Sequence, residues 1–244
     1  MQTVHAEDEQ RAAARAVMLG TPLERARIAA RATRELLADP NDTTRVFLLG
    51  MTLNARHFPR FFTRFAADER GAALLREQPS IDTAHVDFAA LRQLPETTLG
   101  GAYARYLDGN GLDPDLFQAP PGFPSMIAFV AKRIRQQHDL WHVLTGYGTD
   151  VAGEIALQAF TFAQMGMPAS LLISVVGAIR WLQEPRIARM ALDGYRRGRA
   201  AEWLPVQPWE TLWERDVAAL RRELRIAPAD IAPVFLAAQK RAQA

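Results

Sequence analysis

Apolar residues recur at three- and four-residue intervals through most of the chain, which is the period of a helix face and not of a strand. The pattern predicts helices over residues 8–19 and 22–38, both rich in Ala and Arg. A further helix runs from Thr43 or Thr44 to about Asn54, with Val46, Phe47, Leu49, Met51 and Leu53 as its buried set. Others span 71–77 and about Thr98 to Leu107. Breakers separate them: Asp39-Pro40-Asn41-Asp42, Asp108-Gly109-Asn110-Gly111 and the Pro-rich Gln118 to Pro124. Ile81 to Phe88 suits an extended stretch, whereas Asp87 to Leu91 suits a short helix with an Asp cap. A helix capped by Ser125 carries the stripe Ile127, Phe129, Val130, Ile134, Leu140, Trp141 and Leu144. Helices over 152–165, 168–182, 185–197 and 208–224 follow, with Gly194 to Arg199 and Trp203-Leu204-Pro205 as loop. No convincing strand alternation and no repeat is present. The expected fold is all-α, a single-domain helical array over 1–244 with the helix from Ser125 near its centre.

Two apolar stretches stand out. His57 to Phe65 holds four Phe and reads as core. Met165 to Ile179 is the greasiest run, but it is too short to cross a bilayer and carries Pro168 near its start. It suits a buried core helix, or else a wall for an apolar ligand or a surface that touches lipid. Arg180, Arg186, Arg189, Arg196, Arg197 and Arg199 follow it, either as a solvated face with helix-terminal charges or as a site for anionic lipid head groups or a substrate carboxylate.

Composition narrows the chemistry. The 244 residues suffice for a sizeable core. With no Cys there are neither disulfides nor thiolate ligands, so a bound metal must take N and O donors. The net charge is +2, and Lys132 and Lys240 are the only lysines. No basic run with interleaved aromatics occurs, so nucleic acid is not an expected partner. The N-terminus is acidic and lacks the apolar core of a secretory signal.

The candidate chemistry lies in His138-Asp139-Leu140-Trp141-His142, followed after eleven residues by Glu154. On a helix, His138 and His142 share a face, with Asp139 flanking it. Gly146-Tyr147-Gly148-Thr149-Asp150 breaks the helix, and Asp150 is a good cap for the next one. Glu154 in the first turn of that return helix comes back toward the histidines. Two imidazoles with one or two carboxylates are a fitting shell for a divalent metal. The run also resembles the zincin H-E-x-x-H, with an Asp one methylene too short for the base position and no third ligand in view.

These residues match the signature of the ubiquinone (coenzyme Q) biosynthesis protein 4 family. The similarity extends to Leu94 to Gly100 with Tyr103, Leu107-Asp108 and Leu112 to Asp115 ahead of the site. It continues through Gly153-Glu154-Ile155, Gly166-Met167-Pro168, Gly177 to Arg180, and Trp213-Glu214 to Leu224 beyond it. It covers about residues 44–227, leaving the N-terminal helices of 1–43 outside. The resemblance implies an all-helical, metal-binding protein of the complex that matures the ubiquinone head group. It implies removal of the carboxylate at ring carbon one of a polyprenylated 4-hydroxybenzoate, with hydroxylation there proposed as part of the same step. By position the metal ligands would be His138, Asp139, His142 and Glu154, with Glu154 and His142 as catalytic groups. Zinc suits simple decarboxylation, and Fe(II) suits an oxygen-dependent route. Tyr147, Leu172 and Arg180 are candidate substrate contacts, Leu172 as one wall of a prenyl slot. The alternative role is a non-catalytic prenyl-lipid-binding organiser. Expected partners are the prenylated aromatic, other ubiquinone biosynthesis proteins and a membrane surface, and a homo-oligomer is compatible with these. A bacterial chain of this kind would be cytoplasmic and peripheral to the inner membrane.

Overall fold

The computed structural model describes residue 17 and residues 19–38, 43–116 and 123–227. The helix expected over 8–19 and the loop over 118–122 fall almost wholly outside these residues, as do the side chains of Val46 and Phe47. In chain order the helices are α1 (Pro22–Ala38), α2 (Thr43–Asn54), α3 (Phe58–Ala67), α4 (Glu69–Glu77), α5 (Phe88–Gln93) and α6 (Leu99–Asn110). They continue with α7 (Ser125–Thr145), α8 (Val151–Met165), α9 (Pro168–Arg180), α10 (Pro185–Ala200) and α11 (Val217–Glu223). Short 3-10 turns at Leu204–Val206 and Trp209–Thr211 precede α11. No strand occurs among the described residues, where Thr98 and Asp216 form an isolated antiparallel bridge. The all-α expectation holds.

The helix starts follow from local chemistry. Asp68, Asp87, Thr98, Asp150 and Asp216 each precede a helix and accept a hydrogen bond from a backbone N–H of its first turn. Asp87 thereby decides between the two readings of 81–91, and the chain is helical from Phe88. Ser125 opens α7 without a side-chain cap; Pro124 occupies that position.

One core surrounds α7. Val130, Leu140, Trp141 and Leu144 pack with Leu99, Tyr103 and Leu107 of α6, Leu157 and Phe160 of α8, and Leu204, Val206 and Trp209 of the 3-10 turns. The aromatic run at 57–65 is part of that core. It forms α3, whose Phe61 and Phe65 set their rings edge-on to Trp203. Polar ties hold α7 as firmly. Arg133 is 1% exposed and donates to both carboxylate oxygens of Glu210, at 2.7 and 3.2 Å, and to the carbonyl of Gln207. Trp209 Nε1 donates to Gln137.

Three expectations are corrected. Gly194 to Arg199 is helix, not loop. The glycines are there because α10 lies against α8, where a Cβ on Gly194 would come within 2.1 Å of the Ala156 carbonyl oxygen. Residues 208–224 are not one helix, because the backbone at 213–217 is bonded to the start of α6. Leu99 and Gly100 donate to the carbonyls of Arg215 and Trp213, and Val217 donates to that of Thr97. The greasy run divides at Gly166, and α9 is not a buried core helix. It buries Ala169, Ser170 and Ser174, while Leu171, Leu172, Ile173, Val175, Val176 and Ile179 stay exposed.

Candidate metal centre

The centre is built on the α7–α8 hairpin. Gly146 ends α7 in the left-handed conformation at φ 77°, its N–H bonded to the His142 carbonyl. Asp150 starts α8 by accepting from Ala152 and Gly153 at 2.9 and 3.1 Å. Between them the loop presses onto the new helix: a Cβ on Gly153 would lie 2.0 Å from the Gly148 carbonyl oxygen. This close approach brings Glu154 back opposite the histidines. The last turn of α7 is held from two other helices. Arg221 donates to the carbonyls of Val143 and Leu144, and Arg197 to that of Thr145. Those carbonyls have no partner within α7, and cations suit that end of a helix.

His138, His142 and Glu154 form the group of metal-capable side chains found among the described residues, their ligand atoms within 4.8 Å of one another. Glu154 Oε1 lies 3.1 Å from His142 Nε2, and Oε2 lies 3.5 Å from His138 Nε2. The rings stand perpendicular, with centroids 4.9 Å apart. His142 Nδ1 faces the Tyr147 carbonyl at 2.9 Å. A carbonyl only accepts, so Nδ1 carries a proton, and this bond directs Nε2 toward Glu154. Tyr106 stacks on the His142 ring at 5.5 Å.

Burial pushes the Glu154 carboxyl up, but hydrogen bonds with His138 and His142 outweigh it and hold the pKa at about 2. For His138 burial works downward, and Glu154 reverses it to a net rise. Asp139 is half-buried and outside the three-residue group. Its pKa is raised, by burial first and then by the Glu154 charge, against the pull of both histidines. Two imidazole nitrogens and a carboxylate, one imidazole locked in tautomer by a backbone acceptor, suit a divalent cation.

Two cavities meet the centre. The larger, about 620 Å³, runs from His138 and Trp141 past Ile134, Ile127 and Phe58 to Met51 and Met167. A polar cleft of about 570 Å³ reaches His142 from Tyr106, Arg105, Asn110 and Asp150. Of the weaker substrate candidates, Tyr147 lines the polar cleft, whereas Leu172 and Arg180 line neither of these two cavities. Tyr147 is 2% exposed, its hydroxyl donates to Asp193, and its ring lies under the Arg197 guanidinium. Leu172 and Arg180 lie on exposed α9 positions outside the described lining of the large cavity, to which that part of the chain contributes Met167 and Ser170. Arg135 and Gln158 do line it, and Tyr106 packs on His142; spacing alone singles out none of them. The available signal for Arg135 is its position three residues before His138 on the same helix face.

Comparison with known proteins agrees with this architecture. The pattern of the family described as "Coenzyme Q (ubiquinone) biosynthesis protein Coq4" matches residues 16–230. The chain is 34% identical to the mitochondrial ubiquinone biosynthesis protein COQ4 homolog of Xenopus laevis, over 79% of this chain and 69% of that protein. It is 33% identical to the human homolog, over 84% and 79%. A crystal structure described as a ubiquinone biosynthesis protein from Nostoc punctiforme superimposes with a TM-score of 0.66 at 28% identity, covering 81% of this chain and 96% of that one. The chain is thus a member of the coenzyme Q (ubiquinone) biosynthesis protein Coq4 family.

Proposed function

We propose that the chain serves ubiquinone biosynthesis as a metal-dependent decarboxylase, acting at ring carbon one of a polyprenylated 4-hydroxybenzoate. The observation that carries this reading is that His138 belongs both to the three-ligand cluster and to the wall of the apolar cavity. A head group at the cluster would have its tail in that cavity, the usual form of a site for a long apolar ligand with few polar contacts.

His138, His142 and Glu154 would hold the metal, zinc or Fe(II), with Asp139 beside them on α7. Bound there, a divalent cation supplies a Lewis acid for the substrate carboxylate or a ring oxygen. The chain's own groups do the rest. The Tyr147 carbonyl and the Tyr106 ring fix the His142 imidazole. The apolar walls keep water from the tail and ring. Glu154, its side chain 41% exposed, is the member of the cluster most open to solvent. With His142 as its hydrogen-bond partner, we assign Glu154 to passing the proton that replaces carbon dioxide on the ring.

The test is a mass-spectrometric product assay. Purified, metal-restored protein is given a short-chain prenylated 4-hydroxybenzoate, in air and without it, beside His142→Ala. Decarboxylated product from the unmodified chain alone supports the enzyme, and dependence on air assigns the hydroxylating route. No product from folded, metal-loaded protein favours a lipid-binding organiser that works with other ubiquinone biosynthesis proteins. One observation supports that second reading: the exposed apolar face of α9, with Arg180 at its end, suits contact with a membrane surface. No helix among the described residues is long and apolar enough to cross a membrane.

A further inference from the structure

The wall of the large cavity carries one side chain of full charge among its described residues, the guanidinium of Arg135. α7 places it three residues before His138, on the same face and about 4.5 Å farther along the helix axis from the cluster. Gln158, one turn beyond Glu154 on α8, also lines the cavity. Beyond these two the wall is mostly apolar. Burial lowers the Arg135 pKa to about 10, so the group stays cationic at neutral pH although poorly solvated.

The inference rests on the decarboxylase reading. A 3-prenyl-4-hydroxybenzoate with carbon one at the cluster has its oxygen-bearing carbon at the opposite end of the ring. The tail grows from the carbon next to it. A tail lying in the cavity therefore carries the 4-oxygen to the level of Arg135. We propose that Arg135 is the specificity-determining contact for that oxygen and holds it as a phenolate, with Gln158 as a neutral hydrogen-bonding companion.

The contact has a chemical consequence. A phenolate places electron density on the ring carbon para to it, which is the carbon bearing the carboxylate. A proton, passed from solvent by Glu154, bonds to carbon one with the phenolate's electron pair, giving a cyclohexadienone. The bond from carbon one to the carboxylate then breaks, carbon dioxide leaves, and the bonding pair restores the aromatic phenolate. One proton is consumed per carbon dioxide released, and no oxidant is needed. Arg suits the role because its planar, permanently charged fork binds an anionic oxygen without titrating itself.

The experiment measures binding to the full-length, metal-loaded protein through Trp141, which also lines the cavity. The probes are 3-geranyl-4-hydroxybenzoate, its 4-methoxy analogue and 2-geranylphenol. The unmodified chain is expected to prefer the hydroxy over the methoxy compound by about 10-fold or more, the scale of a hydrogen bond to a charged group. Bound hydroxybenzoate should show the red-shifted absorption of a phenolate. Arg135→Met should abolish both the preference and the band with metal content unchanged, and Arg135→Lys should retain part of each. Preference and band both surviving in Arg135→Met would overturn the proposal. So would affinity in that variant falling equally for both benzoates but not for the phenol, because Arg135 would then hold the carboxylate. Absence of the band in the unmodified chain overturns it whatever the variants do. Failure of the unmodified chain to bind any of the three probes overturns the decarboxylase reading as well.

Discussion

His142 donates from Nδ1 to the Tyr147 carbonyl and by doing so turns Nε2 toward Glu154, 3.1 Å away. The acceptor is backbone, five residues on, so the tautomer is set by the shape of the hairpin and not by an exchangeable side chain. Glu154→Ala and His142→Ala should each remove a ligand from a centre that is otherwise in place. Metal content, measured on protein dialysed against a weak chelator, should fall with an affinity loss at least as large as the roughly 10- to 100-fold typical of losing an outer hydrogen-bond partner. Unchanged metal content in both variants would remove these residues from the site.

Gly153→Ala tests the hairpin itself. The new methyl would meet the Gly148 carbonyl oxygen, which is backbone and cannot swing aside. Overpacking of this kind costs about 1–3 kcal/mol. A lower urea midpoint together with weaker metal binding is expected, since the loop must move away from the helix that carries Glu154.

The Arg133–Glu210 pair predicts a sharper loss. Arg133 is almost fully buried, so Glu210→Ala strands its charge, and loss of one partner of a buried pair costs about 3–5 kcal/mol. Replacing both, as Arg133→Met with Glu210→Leu, should recover much of that stability. A double variant no better than the single one would show that the pair contributes more than the mutual cancellation of two buried charges.

Asp82 supplies a pH dependence. Burial works to raise its pKa, but hydrogen bonds from Lys132, Ser80 and His85 hold it well below the ordinary carboxylate range. A carboxyl depressed in the folded state stabilises fully above its unfolded value, about 3.9, and loses that contribution as pH falls toward the folded value. The urea-midpoint difference between the unmodified chain and Asp82→Asn should therefore be constant from pH 7 to 5 and shrink below about pH 4. A difference independent of pH would show that the contribution is packing and not charge.

The outer face of α9 gives a prediction about surfaces. Leu172 is 47% exposed and Val176 52%. Leu172→Asp with Val176→Asp should lower co-flotation with anionic phospholipid vesicles while leaving metal content and helicity unchanged. Equal flotation would dissociate α9 from membrane contact.

What the sequence revealed and what it concealed divide along physical lines. The cluster was legible because i, i+4 histidines and a capped return helix are local geometry, as the arrangement of His142, Asp150 and Glu154 bears out. The fold class was legible from periodicity. The helical state of Gly194 to Arg199 was not, because those glycines answer to the closeness of α8, a neighbour whose position no window of sequence contains. The break at 213–217 was hidden for the same reason, since its hydrogen bonds go to Thr97, Leu99 and Gly100. Apolar content marked α9 as a helix but could not show which of its faces is covered, and Leu172 lies on the bare one.

The arginines on the last carbonyls of α7 set an order of events during synthesis. Arg221 reaches back 77 residues to Leu144, and Arg197 reaches back 52 to Thr145. The histidines leave the ribosome well before either clamp exists. A nascent chain therefore holds an incomplete site through the making of α10 and α11, and the centre becomes rigid only when the chain past Arg221 folds onto it. Completion of the His138–His142–Glu154 cluster is in this way deferred until the rest of the core has been made.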